Sequence, residues 1–310
     1  MSARVTGDVA DELIAEMTGA QSLELDAFLG QGVPEYDWLV PGLLERGDRV
    51  IVTGREGGGK STLLRQLGVQ FSSGIHPFGG DPFEPLRVLL IDLENSARQV
   101  HRKIKPLRAA AGPFYAGSLF LNVRTQGLDV LQPPEAHWLR EVVADCRPDV
   151  LITGPTYKLA AGDPTEERTA RTVAAHLDSL RAAHDCAVVL EAHTPYGTNG
   201  GKRPERPYGA SLWSRWPEFG IYLDADTGEL RHWRGQRDER DWPAAVQRGG
   251  EWPWSPVTRD RDLMWARVRE ECTREGQRLS LRELAKRLGT YHVAVKRAVD
   301  EHQADWEAMA

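Results

Sequence analysis

The eight residues Gly54-Arg55-Glu56-Gly57-Gly58-Gly59-Lys60-Ser61 restrict this chain more than any other stretch. They match the pattern G-x-x-x-x-G-K-[ST] and lie between a strand-length apolar run, RVIVT, and a helix-period segment, STLLRQLGVQF. That context separates a phosphate cradle from an ordinary glycine-rich turn. The glycines let successive backbone N–H groups turn inward around an anion, and the helix N-terminus adds its partial positive charge. The binding segment is then Gly54, Arg55, Glu56, Gly57, Gly58, Gly59, Lys60, Ser61 and Thr62. Lys60 reaches the β- and γ-phosphates and the Ser61 hydroxyl serves as a Mg²⁺ ligand, so the implied ligand is ATP with Mg²⁺.

The surroundings of this loop predict an α/β fold. Apolar runs of strand length recur at Val50–Thr53, Val88–Leu93, Leu119–Val123, Val150–Thr153 and Ala187–Leu190. Helix-like stretches separate most of them, at Ser61–Phe71, Ser96–Ala111, Pro134–Asp145 and Thr165–His184. Such alternation points to a mainly parallel sheet covered on both faces. Phe219–Leu223 and Glu229–Trp233 flank the turn DADTG and predict a hairpin. The Arg-, Trp- and Pro-rich residues 235–262 read as an irregular connector. From Asp262 onward the chain reads as helical. The organisation expected is a lead segment over 1–35, a core over 36–255 and a small C-terminal helical domain over 256–310.

Composition excludes several classes. Lysine and arginine total 39 against 45 acids, a net charge of −6. That argues against a chain that coats nucleic acid indiscriminately, while leaving room for a local basic surface. Cys146, Cys186 and Cys272 are odd in number and widely spaced, which suits a reducing compartment and excludes a disulfide scaffold. The nine histidines show no ligand-type pairing. No basic-then-apolar leader and no membrane-length apolar run is visible, so a soluble, cytoplasmic protein is expected.

The strand VLLID runs into Leu93-Glu94-Asn95. Strand C-termini are where open α/β sheets bind ligands, so a carboxylate at Glu94 is placed to orient an attacking water. A helix cap is the alternative role for Glu94. The sequence as a whole resembles the RecA-like ATPases, in particular the RepA-type hexameric helicases and AAA_25-type proteins of phages and plasmids. The resemblance spans roughly Tyr36 to Trp254. It rests on the phosphate loop, VLLIDLENSARQVHRKI, PDVLITGPTYKL, AVVLEAHTPYG, YGASLWSRWPEFG and HWRGQRDERDW, in that order. It implies a RecA-like P-loop core, ATP hydrolysis with Glu94 as catalytic glutamate, and His193 as sensor of the γ-phosphate. It also implies a hexameric ring in which a neighbour supplies an arginine finger, with Arg215, Arg234 and Arg237 as candidates.

One departure stands out. VLIT is followed by Gly154-Pro155, where the family carries aspartate before proline. The missing acid would hold Mg²⁺ through its water shell. Asp92 or Asp163 could substitute, or the ion could rely on Ser61 and the phosphates, because Mg²⁺ needs few protein ligands. The other outcome is an ATP-dependent binder with weak hydrolysis.

Single-stranded DNA is the partner that the resemblance implies, held by loops facing a ring's channel. The loop Thr194–Tyr208 carries Lys202, Arg203 and Arg206, with Tyr196 and Tyr208 available for stacking. A basic surface loop is the alternative. The segment from Arg278 to Arg297 holds six Lys/Arg and one Glu. With its Ser280 cap and glycine turn it resembles a helix-turn-helix or winged-helix unit, which would put Lys296 and Arg297 near phosphates. The same kind of unit also docks proteins. Two functions follow from this reading: a DNA-stimulated motor, the helicase that the resemblance implies, or an ATP-gated DNA-binding regulator or helicase loader.

Overall fold

The structure is a computed structural model that describes residues 24–30, 36–196, 204–235, 240–257 and 260–308. The chain divides after Asp37. In the first part, helix α1 (Leu25–Leu29) is capped by the Glu24 carboxylate, which accepts the N–H groups of Asp26 and Ala27. The amphipathic piece expected at Leu13–Met17 lies outside the described residues.

The second part begins with a small hairpin, β1 (Trp38–Val40) and β2 (Leu44–Glu45). Its centre is a seven-stranded sheet. Five strands coincide with the apolar runs: β3 (Arg49–Gly54), β4 (Val88–Asp92), β5 (Leu119–Val123), β6 (Val150–Gly154) and β7 (Ala187–His193). The last two are β8 (Phe219–Leu223) and β9 (Leu230–Arg234). The order is β5-β4-β6-β7-β3-β8-β9. Every neighbouring pair is parallel except the β8–β9 hairpin. Four helices follow the expected positions: α2 (Lys60–Ser72), α3 (Ala97–Ala110), α4 (Pro133–Cys146) and α5 (Glu167–His184).

Strand alternation sorts the side chains between two layers. Val50, Val52, Leu90, Ile152 and Val189 join Leu63, Leu67 and Phe71 of α2 in one core. Ile51, Leu89, Ile91, Leu151 and Leu190 join Val143 of α4 and Leu177 of α5 in the other. Side chains of this size contribute about 1.5–3 kcal/mol each when fully buried, so the two layers fix the register of the sheet. Register then aligns the strand ends. Gly54 pairs with His193 and Asp92 with Gly154, which puts the C-terminal ends of β3, β4, β6 and β7 along one edge. All three cysteines are buried and free.

The connector expected to be irregular contains a hairpin, β10 (Val246–Arg248) and β11 (Trp254–Pro256), in antiparallel register. Its strands are three residues each, too short to show alternation. Buried Trp254 explains it: the side chain packs into the core beside α2, and the Gln66 side chain exchanges two hydrogen bonds with the Trp254 backbone, at 2.7 and 2.9 Å.

The C-terminal helices are α6 (Asp260–Glu275), α7 (Leu281–Arg287), α8 (His292–Glu301) and α9 (Gln303–Ala308). They share a core of their own that includes Trp265, Val268, Leu284, Leu288 and Val295. Ser280 caps α7, its hydroxyl accepting the Glu283 N–H. Among the described residues no strand accompanies these helices, so the arrangement is purely helical. No described helix is long and apolar enough to cross a membrane.

Candidate functional site

The loop after β3 is shaped by its glycines and gripped from behind. Gly59, the residue before α2, has φ +94°, and a Cβ there would lie 2.8 Å from the Trp254 ring. Only glycine fits. The Gly59 carbonyl accepts the Trp254 indole N–H at 3.2 Å, and the Gly58 carbonyl accepts from Arg248 at 3.2 Å. The rim is tied as well, with Arg55 paired to Asp226 at 2.6 Å and the Tyr196 hydroxyl donating to Glu56 at 3.1 Å. The Gly58 N–H closes a turn onto the Arg55 carbonyl at 3.1 Å, and the N–H groups of the first turn of α2 are the ones a helix N-terminus offers to an anion.

The loop borders a cleft of about 680 Å³, with the residues from Gly57 to Thr62 on one side and Glu94, Tyr157, Glu191 and His193 on the other. Lys60 is buried, and its ammonium donates to the Arg55 carbonyl at 2.9 Å. The same ammonium lies 3.3 Å from His193 Nδ1 and 3.8 Å from the Glu191 carboxylate. The Ser61 hydroxyl donates to Glu191 at 3.0 Å. Glu94 is exposed at the cleft and accepts the Tyr157 hydroxyl at 3.1 Å. Burial, then the nearby Glu94 charge, pushes Tyr157 up to about 12, so it stays a donor at neutral pH. Carboxylate oxygens of Glu94 and Glu191 and a ring nitrogen of His193 come within 4.8 Å of one another. Phosphate-sized space, the buried Lys60 ammonium and a carboxylate facing that space suit phosphoryl transfer to water.

The other residues singled out from the sequence fall elsewhere. Asp92 does not open onto the cleft; its carboxylate pairs with buried Arg65 at 2.5 Å and accepts the N–H groups of Glu94 and Asn95. Burial alone would raise its pKa, but the Asn95 N–H and the Arg65 guanidinium outweigh it and hold Asp92 below the ordinary range. Asp163 accepts the Thr165 hydroxyl and N–H on an exposed turn. Arg215 is exposed and bonded to Glu167 at 2.9 Å and Ser211 at 2.8 Å, and the Arg234 Nε–H donates to the Pro217 carbonyl. Neither arginine borders the cleft of its own chain. Arg206 is exposed, while Lys202, Arg203 and Arg237 lie outside the described residues. Lys296 and Arg297 are exposed on α8, Lys296 paired with Asp300 at 2.5 Å. Tyr196 and Tyr208, considered as stacking platforms for bases, border the cleft itself.

Sequence reasoning missed Glu191, Tyr157 and Trp254. Glu191 left a signal: a lone acid inside AVVLEAH, a run otherwise apolar enough for a central strand.

A central parallel sheet with this strand order and a phosphate loop at the end of an inner strand define a P-loop ATPase of the RecA-like kind. The chain belongs to the AAA_25 family, described as an AAA domain, which matches residues 16–199. Among solved structures it is similar to a KaiC-like protein of the hyperthermophilic archaeon Pyrococcus horikoshii. That match has 17% identity and a TM-score of 0.47 over 71% of this chain and 94% of the other. No curated protein sequence matches significantly. Family membership implies ATP binding and ATPase activity, with Mg²⁺ as the usual companion of the nucleotide.

Proposed function

We propose that the protein is an ATP-hydrolysing ring motor acting on single-stranded DNA, with helicase action as the work done. The observation that carries the hydrolytic part is Glu94. It projects from the end of β4 into the phosphate-loop cleft, where its carboxylate can accept a proton from the attacking water while Lys60 and the loop N–H groups hold the phosphates. Tyr157 fixes one Glu94 oxygen and leaves the other for that water. Mg²⁺, when bound with ATP, supplies charge neutralisation at the β- and γ-phosphates; the Ser61 hydroxyl and the adjacent carboxylate chemistry suit such a hard ion.

Support for a ring comes from what borders the cleft. Among the described residues the only arginine there is Arg65, and Asp92 holds it. His193 borders the cleft as the γ-phosphate sensor, and an arginine finger is then supplied by another copy, from exposed Arg215, half-buried Arg234 or Arg237. Support for DNA rests on the basic loop that Tyr196 and Tyr208 flank, and on the C-terminal helices. Those helices also favour a second reading, an ATP-gated DNA-binding regulator or loader.

ATP turnover with and without single-stranded DNA separates the two. A motor shows DNA-stimulated hydrolysis that falls by ~10²–10⁴ in Glu94→Gln while ATP affinity persists. Binding without turnover in the wild type sinks the motor and favours the regulator.

A further inference from the structure

We propose that Glu191 is the carboxylate that holds the nucleotide's divalent cation through its water shell. It would replace, from the neighbouring strand, the acid absent at Gly154. This inference rests on the ATPase reading above.

Position 154 has no room for an acid. Gly154 has φ +140°, and a Cβ there would lie 2.8 Å from the Glu191 Cβ and 2.9 Å from the Glu191 backbone nitrogen and oxygen. The space a strand-end aspartate needs is already filled by the stem and backbone of Glu191. The two residues are complementary: glycine on β6 gives room for glutamate on β7.

Glu191 also points the right way. Along β7 it shares a face with Val189, the face that packs under α2. This aims its carboxylate at the start of that helix, 3.0 Å from the Ser61 hydroxyl that the loop pattern assigns to the ion. The side chain is almost wholly buried, and a carboxylate in that position is costly unless a cation joins it. Lys60 supplies part of the compensation at 3.8 Å, but the same lysine is needed by phosphate. A hydroxyl and a carboxylate are hard oxygen donors, the set Mg²⁺ takes alongside waters and phosphates.

The rival acids are engaged elsewhere. Arg65 and two backbone N–H groups occupy Asp92, and Asp163 is turned into its own exposed loop. Glu94 borders the cleft but is exposed and bonded to Tyr157, a placement suited to orienting water.

The test is binding of a fluorescent ATP analogue to the full chain in Mg²⁺ and in EDTA, with thermal melting as the fold control. Wild-type protein binds more tightly in Mg²⁺. Glu191→Gln, which keeps the size and a hydrogen bond to Ser61, should lose about 10–100-fold of that gain and bind at least as well as wild type in EDTA. Glu191→Asp, with the charge on a shorter stem, should retain part of it. Mn²⁺ spin resonance in the presence of ATP reads the bound ion directly and should show the same order. A full Mg²⁺ gain in Glu191→Gln overturns the assignment, as does its loss in folded Asp92→Asn or Asp163→Asn. A wild type that binds no ATP overturns the ATPase reading itself, and this one with it.

Discussion

Two buried carboxylates lie near the phosphate loop, and their surroundings give them opposite tasks. Asp92 meets a full set of donors, an arginine and two backbone N–H groups, and its pKa falls. Glu191 meets a hydroxyl and a distant ammonium; burial raises its pKa against Lys60 and Ser61. The first is a finished ion pair that turns the chain out of β4 toward α3. The second is unfinished without a ligand. Asp92→Asn leaves the buried Arg65 guanidinium without its counter-charge and should destabilise the chain by about 3–5 kcal/mol, measurable by urea unfolding. An unchanged midpoint would show that Arg65 finds another partner. Reading residues alone singled out Lys60, Ser61 and Glu94, which border one cleft, because each is placed by its spacing from a motif or a strand end. It offered Asp92 or Asp163 for the ion and passed over Glu191. Which acid faces Ser61 depends on which strand lies beside β3, and Ser61 and Glu191 are 130 residues apart in sequence.

At the scale of elements, apolar period and capping made most of the sheet and helices legible. The inner strands β3, β4, β6 and β7 are largely Val/Ile/Leu because both faces are covered, and α3 begins at a Ser96–Gln99 capping box. The β10–β11 hairpin was not legible, since its stability comes from one tryptophan and not from a pattern. That hairpin has consequences for the site. Trp254 holds the Gly59 carbonyl, Arg248 holds the Gly58 carbonyl and stacks over the Trp254 ring at 4.7 Å, and Gln66 ties the strand to α2. The loop's conformation is therefore set before any nucleotide arrives, which lowers the ordering cost of binding. Trp254→Ala should cost about 3–5 kcal/mol of stability and weaken ATP-analogue affinity further than stability alone explains. Comparing affinity at a temperature where wild type and variant are both folded checks this. Equal affinities would mean that the glycines hold the loop without help.

At the scale of the whole molecule, the cleft is complete on its loop side and open where charge must be neutralised. Exposed Arg215 sits on a short 3₁₀ turn between β7 and β8, steadied by Glu167 and Ser211. It does not border the cleft of its own chain, and the proposed ring would put it at a neighbour's. The resemblance in SLWSRW, and no periodicity, singled out that segment, and an interface between copies is a property of the assembly rather than of one chain. Mixing variants tests the ring. Arg215→Ala should lower hydrolysis by about 10³ or more with ATP affinity retained, and Glu94→Gln should lower it as stated above. In the proposed ring each variant would spoil a different half of a composite site. In a randomly mixed ring, about a quarter of the interfaces join an intact Glu94 to an intact Arg215 from the next subunit. Hydrolysis should recover toward that fraction of wild type when two inactive preparations are combined and allowed to exchange. Recovery requires both that subunits assemble and that the arginine acts across the boundary. If Arg215→Ala alone is inactive and mixing restores nothing, Arg215 acts within its own chain; if Arg215→Ala is fully active, the finger is Arg234 or Arg237, and the same mixing with those variants identifies it.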